Sequence, residues 1–285
     1  MTTPLHLQPD GPAWPEELRS IEHPPDELWI VGRPGLLARR PRVAVVGTRS
    51  PTPYGEVQAA RIASFLALQG VTVVSGLARG IDSIAHRAAL ESGGATLAVL
   101  GSGVDRPWPE DELARRMASE GCLVSEFPPG RAPRRHHFPW RNRLISGLSS
   151  AVIVVEAAQA SGSLITARWA VDQGRAVFAL PGRVDHPMSR GCHRLLREGA
   201  ELLEDPADVL PALGRAPASP EVPPGPAHPL LGALRGETLT ADELSQRLHR
   251  PVAEVLVELV ELELAGAVAR GPGGLFREVG QRSAR

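Results

Sequence analysis

Val43-Ala44-Val45-Val46-Gly47-Thr48-Arg49-Ser50 decides the fold of this 285-residue chain. Four apolar residues run without alternation and then break at a glycine. A strand of this kind is buried on both faces, which is the mark of a parallel sheet covered by helices. The same pattern recurs at Val71–Ser75, Leu97–Leu100, Leu123–Ser125, Ala151–Glu156 and Ala176–Ala179. Helical stretches lie between the runs, at Glu56–Gln69, Ile81–Ser92, Glu110–Glu120, Leu164–Gln173 and Ser189–Arg197. The expectation is a doubly wound α/β domain over residues 42–213, of Rossmann-like type.

Outward from that core the composition changes. Residues 1–41 are rich in proline and read as a lead-in segment with a short helix near Trp14–Leu18 and a short strand at Leu28–Val31. Residues 214–228 hold five prolines and read as a semi-rigid linker. Residues 229–280 read as a small second domain. There Thr240 and Glu243 have capping-box spacing, a longer helix follows from Pro251 to Ala265, and a strand, turn and strand close the unit. Helix, helix and β-ribbon make a winged helix-turn-helix layout.

The chain is near neutral, with 31 basic and 32 acidic residues. All the cationic side chains are arginine, so neither a phosphate-binding lysine nor a Schiff-base lysine exists. Two cysteines, Cys122 and Cys192, argue against a disulfide scaffold and suit a cytoplasmic protein. No apolar run has membrane-span length, so no membrane is expected as a partner. His186 and His193 lack a third ligand, and neither a metal nor a cofactor is expected.

In a parallel sheet the loops after the strands share one rim, and ligands bind there. Here those loops are Gly47-Thr48-Arg49-Ser50, Gly76-Leu77-Ala78-Arg79-Gly80, Gly101-Ser102-Gly103, Ala160-Ser161-Gly162-Ser163 and Pro181-Gly182-Arg183. Any one of them is an ordinary turn. Together they offer backbone N–H groups, hydroxyls and guanidinium groups to a long polyanion. The fourth strand is followed by the strongest local signal. Residues 131–147 carry five arginines and two histidines with no acid, and Phe138 and Trp140 are interleaved with the charge. Arginine with exposed rings holds single-stranded nucleic acid, by phosphate pairing and base stacking. The competing reading is a solvated loop whose rings turn into the core. Catalytic candidates are poor. His86 and Asp82 read as helix residues; Glu156 is the one carboxylate that could serve as an acid or base at the rim, though the preferred reading is a group that orients the rim loops.

Four motifs carry a resemblance. They are Val-Ala-Val-Val-Gly-Thr-Arg-Ser-Pro-Thr-Pro-Tyr-Gly at 43–55, Val-Ser-Gly-Leu-Ala-Arg-Gly-Ile-Asp-Ser-Ile-Ala-His at 74–86, Phe-Pro-Trp-Arg-Asn-Arg-Leu-Ile-Ser-Gly-Leu-Ser at 138–149 and Val-Glu-Ala-Ala-Gln-Ala-Ser-Gly-Ser-Leu-Ile-Thr-Ala at 155–167. From about Trp14 to Leu213 the chain resembles the DNA-processing protein A family (DprA, also called Smf). The resemblance implies an extended Rossmann-like domain that binds single-stranded DNA without cutting it. It implies a homodimer through that domain, with RecA recombinase and single-strand-binding protein as partners in natural transformation. It places Arg49, Arg79, Arg141, Asn142 and Arg143 in a positively charged DNA pocket. The rim reading adds Gly47, Thr48, Gly76, Phe138, Trp140, Ser161, Gly162 and Ser163. The stretch ahead of Val43 is expected to be too short for the sterile-alpha-motif-like domain of some members.

Two other readings compete. Phosphoribohydrolases acting on nucleoside monophosphates share a related core, but they need a Pro-Gly-Gly-x-Gly-Thr stretch and a following Glu. This chain has Ala-Gln-Ala-Ser-Gly-Ser-Leu-Ile-Thr-Ala-Arg there, so no enzyme activity is expected. A winged-helix transcription factor is disfavoured by Glu254, Glu258, Glu261 and Glu263, which would meet phosphates of like charge.

Overall fold

The computed structural model describes residues 3–216, 228–234 and 237–279. The chain divides between Pro217 and Ala218 into two compact units. The proline-rich stretch expected as a linker falls mostly on residues 217–227, outside the described residues.

In the first unit the strands are β1 (Leu5–Leu7), β2 (Leu28–Gly32), β3 (Arg42–Val46), β4 (Thr72–Ser75), β5 (Thr96–Val99), β6 (Cys122–Ser125), β7 (Ala151–Val154), β8 (Ala176–Ala179) and β9 (Glu201–Leu202). The helices are α1 (Pro53–Leu68), α2 (Ile81–Glu91), α3 (Glu112–Ser119), α4 (His137–Gly147), α5 (Ser163–Asp172) and α6 (Arg190–Arg197). The strands form one sheet in the order β1-β2-β6-β5-β4-β3-β7-β8-β9. From β6 to β9 all pairings are parallel, for example Val43 opposite Val73 on one side and Val45 opposite Ile153 on the other. The sheet is therefore mixed but mostly parallel.

The pleat explains the layers. Val43 and Val45 face a core shared with Ile62 and Leu66 of α1 and Ala85 and Ala89 of α2. Ala44 and Val46 face the other way, toward Leu144 and Ile145 of α4 and Ala167 and Ala170 of α5. Because β3 is fully covered on both sides, every residue in it must be apolar or paired. Burial of each such valine contributes about 1.5–3 kcal/mol. Arg42 is the exception in type. Its guanidinium is buried, donates to the carbonyls of Leu37 and Leu148, and lies 2.9 Å from a Glu17 carboxylate oxygen. Burial pushes its pKa down to about 10, against the pull of Glu17.

Arg42 thereby fastens the N-terminal segment to the core. Read as a lead-in, that segment instead supplies two strands. β2 runs antiparallel to β6, and β1 antiparallel to β2. Leu18, Ile21, Leu28 and Ile30 belong to the main core.

The second unit contains α7 (Pro229–Leu234), β10 (Thr238–Thr240), α8 (Ala241–Leu248), α9 (Val252–Leu264), β11 (Val268–Arg270) and β12 (Leu275–Glu278). Its three strands pair antiparallel in the order β10-β12-β11. The capping box is formed: Thr240 Oγ1 accepts from Glu243 N at 3.2 Å, and Glu243 accepts from Thr240 N at 2.7 Å. Leu230, Leu244, Val255, Leu259 and Phe276 fill the core. On α9, Glu254 and Glu258 hold Arg250.

Candidate nucleic-acid interface

β3 and β7 are neighbours, yet the chain leaves β3 toward β4 and leaves β7 toward β8. The loops at their carboxyl ends therefore diverge. At such a switch point an open α/β sheet has its ligand crevice. A cavity of about 890 Å³ lies here, with Gly47, Arg49, Asp82, Phe138, Asn142 and Ser161 among its lining residues.

Glu156, just past β7, supports the wall that carries Gly47 and Arg49. Its carboxylate accepts from Thr52 Oγ1 at 2.6 Å and Thr52 N at 2.9 Å, while its carbonyl accepts from Thr48 N at 2.7 Å. Thr52 in turn caps α1 by accepting from Gly55 N at 3.2 Å. A carboxylate at that helix N-terminus is favoured by the helix dipole. The Glu156 side chain is thus engaged in holding the loop that carries Arg49. Gly80 completes this wall. It has φ +83°, and a Cβ there would lie 2.4 Å from Thr48 O. Only glycine lets α2 begin so close to the β3 loop.

The arginine-rich stretch is a loop only as far as His136. Residues 137–147 form α4. Pro139 is the third residue of the helix, where a missing N–H costs no internal bond. Helical periodicity sorts neighbouring residues onto different faces. Phe138, Arg141, Asn142 and Ile145 line the cavity. Trp140 and Arg143 lie together elsewhere, the guanidinium carbon 4.1 Å from the indole centroid. Arg143 is 1% exposed and makes a forked pair with Glu126 at 2.7 and 2.6 Å. Its Nε donates to His23 O at 2.8 Å. Expected as a phosphate contact, Arg143 is instead an interior strut, because an ionised guanidinium so buried needs its partners. Trp140 is half-open beside His23 and is not part of the cavity lining.

Arg141 also differs from expectation. It is buried, forms part of the cavity floor, and donates to the carbonyls of Gly76 and Val99. Gly76 is glycine because a Cβ would lie 2.3 Å from Arg141 Nη1. Asp82 shares the floor and accepts from Gly76 N at 3.1 Å. Burial pushes the Arg141 pKa down to about 10, with Asp82 opposing and Arg49 assisting. Burial raises the Asp82 pKa, with Arg141 opposing.

The remaining expected residues divide in the same way. Arg49 is exposed, and its guanidinium carbon is 5.7 Å from the Phe138 ring centroid. Arg79 is exposed but is not among the lining residues. Thr48 is buried and spends its polar groups within the loops. Asn142 donates to Gly162 O at 3.2 Å, tying α4 to the entry of α5. There Ser161 and Ser163 share a 2.8 Å hydroxyl contact. His137 anchors the start of α4: its Nδ1–H donates to Gly101 O at 3.0 Å and its ring stacks on Phe127. Burial lowers its pKa.

Among the lining residues that had not been singled out are Arg134, Arg135 and Trp108. Arg134 and Arg135 are exposed at the entrance to α4, and the density of arginine at 131–143 was their signal. Trp108 lies beyond the Gly101-Ser102-Gly103 loop, an isolated indole between two prolines in a rim segment. The rim is therefore cationic on its outside, while its floor holds Asp82 and Arg141, whose Nη1 serves two carbonyl groups and whose Nε has no partner among the described residues. Among the described residues no cluster of histidine, cysteine and carboxylate side chains could hold a metal ion. No described helix is long and apolar enough to cross a membrane.

The family profile of DNA recombination-mediator protein A matches residues 6–214. The chain belongs to that family. The profile of the DprA winged helix domain matches residues 214–274. Among DprA and Smf relatives, Protein Smf of Escherichia coli K12 is 43% identical over 289 residues, covering 95% of this chain and 77% of its own. A putative DNA processing protein DprA of Mycobacterium tuberculosis H37Rv is 42% identical, covering 91% and 73%. The crystal structure of Streptococcus pneumoniae DprA superposes with TM-score 0.70 at 40% identity, over 74% of each chain. DNA processing protein A of Helicobacter pylori, described for its single-stranded DNA binding mode, superposes with TM-score 0.66 at 32% identity, over 72% of this chain and 93% of its own.

Proposed function

We propose that this chain binds single-stranded DNA with little base preference at the β3–β7 crevice, protects it, and passes it to a RecA recombinase in natural transformation and recombination. The observation that carries the reading is Arg49 beside Phe138 at the cavity, with Arg134 and Arg135 exposed on the same rim. Guanidinium groups meet phosphates, and an aromatic face meets an unpaired base. Family membership and the Helicobacter pylori relative's described single-stranded DNA binding support it. The site residues are then Arg49, Phe138, Arg134 and Arg135 for contact, with Asn142 and Ser161–Ser163 shaping the wall.

The same reading makes the protein a cytoplasmic homodimer through the Rossmann-like unit that helps displace single-strand-binding protein. It makes the protein no enzyme: Glu156, the carboxylate at the end of β7, is occupied by Thr52, and Asp82 on the floor accepts from Gly76 N. Competition between labelled single-stranded and duplex oligonucleotides at several salt concentrations tests it. Single strands should win, and Phe138→Ala should remove about 1–3 kcal/mol of that binding. Equal affinity for both forms would overturn the proposal.

A further inference from the structure

Trp108 is 59% exposed, and it lines the same cavity as Arg49 and Phe138. An indole left in water is a cost that burial against a partner removes. Its segment, between β5 and α3, is held in place from several sides. Ser102 Oγ donates to Arg106 O at 2.6 Å, and Arg106 N donates to Gly103 O at 2.9 Å. Gly103 N donates to Arg131 O at 2.8 Å, and both Asp105 carboxylate oxygens accept from Gly130 N, at 2.8 and 2.9 Å. The segment is thus fastened to the chain that leads into the arginine-rich stretch. The backbone leading to Trp108 is held before any ligand arrives, so binding orders little more than the side chain there.

The charge pattern gives a direction. Arg49, Arg134 and Arg135 are exposed, whereas the floor presents Asp82 and an Arg141 that already serves two carbonyl groups. The exposed rim arginines favour a nucleotide with its phosphates beside them and its base against the rings.

We propose that Trp108 is a second aromatic wall, against which a nucleobase of the bound strand packs as it enters the cavity. Phe138 is the other ring on the lining. The proposal rests on the single-stranded DNA reading above and adds to it where and how a base is taken up.

The test compares two probes on the full chain by fluorescence anisotropy: an oligothymidylate, and a chain of equal length with every base replaced by an abasic spacer. Both carry the same phosphates. Trp108→Ala should weaken oligothymidylate binding by roughly 5- to 100-fold and leave abasic binding unchanged. Trp108→Phe should restore most of the loss. Wild-type affinity for oligothymidylate in Trp108→Ala would overturn this inference and leave the proposed function standing. Equal loss on both probes would overturn it too, by making the effect one of phosphate or of folding. If the wild-type chain binds neither probe, the proposed function fails and this inference with it.

Discussion

Both terminal nitrogens of Arg143 donate to the two carboxylate oxygens of Glu126, at 2.7 and 2.6 Å, beneath the Trp140 ring. The Arg143 and Glu126 side chains are 2% and 11% exposed. Arg143→Ala leaves a buried carboxylate unpaired and should cost about 3–5 kcal/mol of stability. The double variant Arg143→Met with Glu126→Gln should recover part of that. Urea unfolding midpoints read the difference; an unchanged midpoint in Arg143→Ala would show that the pair is not needed.

Arg49 should behave in the opposite way. It is exposed and touches only the Phe138 ring region, so Arg49→Ala should leave stability within about 0.5 kcal/mol. It should weaken single-strand binding and reduce the slope of log K against log salt by about 0.7. Titrations at four or more salt concentrations check both numbers.

Glu156→Gln should be a stability variant. The carboxylate accepts from both the hydroxyl and the backbone N–H of Thr52, and an amide can accept at only one oxygen. A loss of about 1–3 kcal/mol is expected. Neither wild type nor variant should release base from nucleoside monophosphates. A release activity in the wild type that vanished in Glu156→Gln would restore the phosphoribohydrolase reading.

His86 makes the fold sensitive to acid. Burial, with Arg141 adding, drops its pKa from 6.5 to about 3, and its Nδ1 is bonded to Thr96 Oγ1 at 2.7 Å. Between those values the unfolded chain binds a proton that the folded chain refuses. Stability present above pH 6.5 is therefore lost as pH falls toward 3. Asp82, with its raised pKa, works in the opposite sense at the low end of the range. Thermal melts of wild type and His86→Gln from pH 7 to 5 should converge on acidification; parallel curves would exclude His86 as the cause.

The second unit should be dispensable for tight single-strand binding. Its α9 carries Glu254, Glu258, Glu261 and Glu263, and its Arg250 is occupied by two of them. A chain ending at Ala216 should keep its affinity and, on the homodimer reading proposed above, sediment as a dimer. Loss of either would place the winged helix within the binding machinery.

The parallel strands were legible because a strand covered on both faces can hold few polar residues: β7 holds none and β3 only the paired Arg42. The rim followed from topology alone. α4 was not legible as a helix: its Pro139 and its run of arginine, histidine and asparagine resemble a loop, and its apolar periodicity is supplied partly by buried arginine. Arg141 and Arg143 looked like surface charge because sequence gives no sign of Gly76 O, Val99 O or Glu126, which come from distant parts of the chain. β1 and β9 span only three and two residues, too short to show a pattern. Trp108 went unmarked since its place on the cavity depends on the pinning of a loop by Asp105 and Gly130.

The two faces of α4 divide labour between neighbouring codons. On the proposed reading Phe138 answers to what the protein holds, while Arg143 answers to whether the chain stays folded at all. Selection on grip and selection on endurance can therefore act on adjacent letters independently. A lineage could retune its hold on a strand by changes at every third or fourth position of this helix without touching the framework that the intervening residues secure.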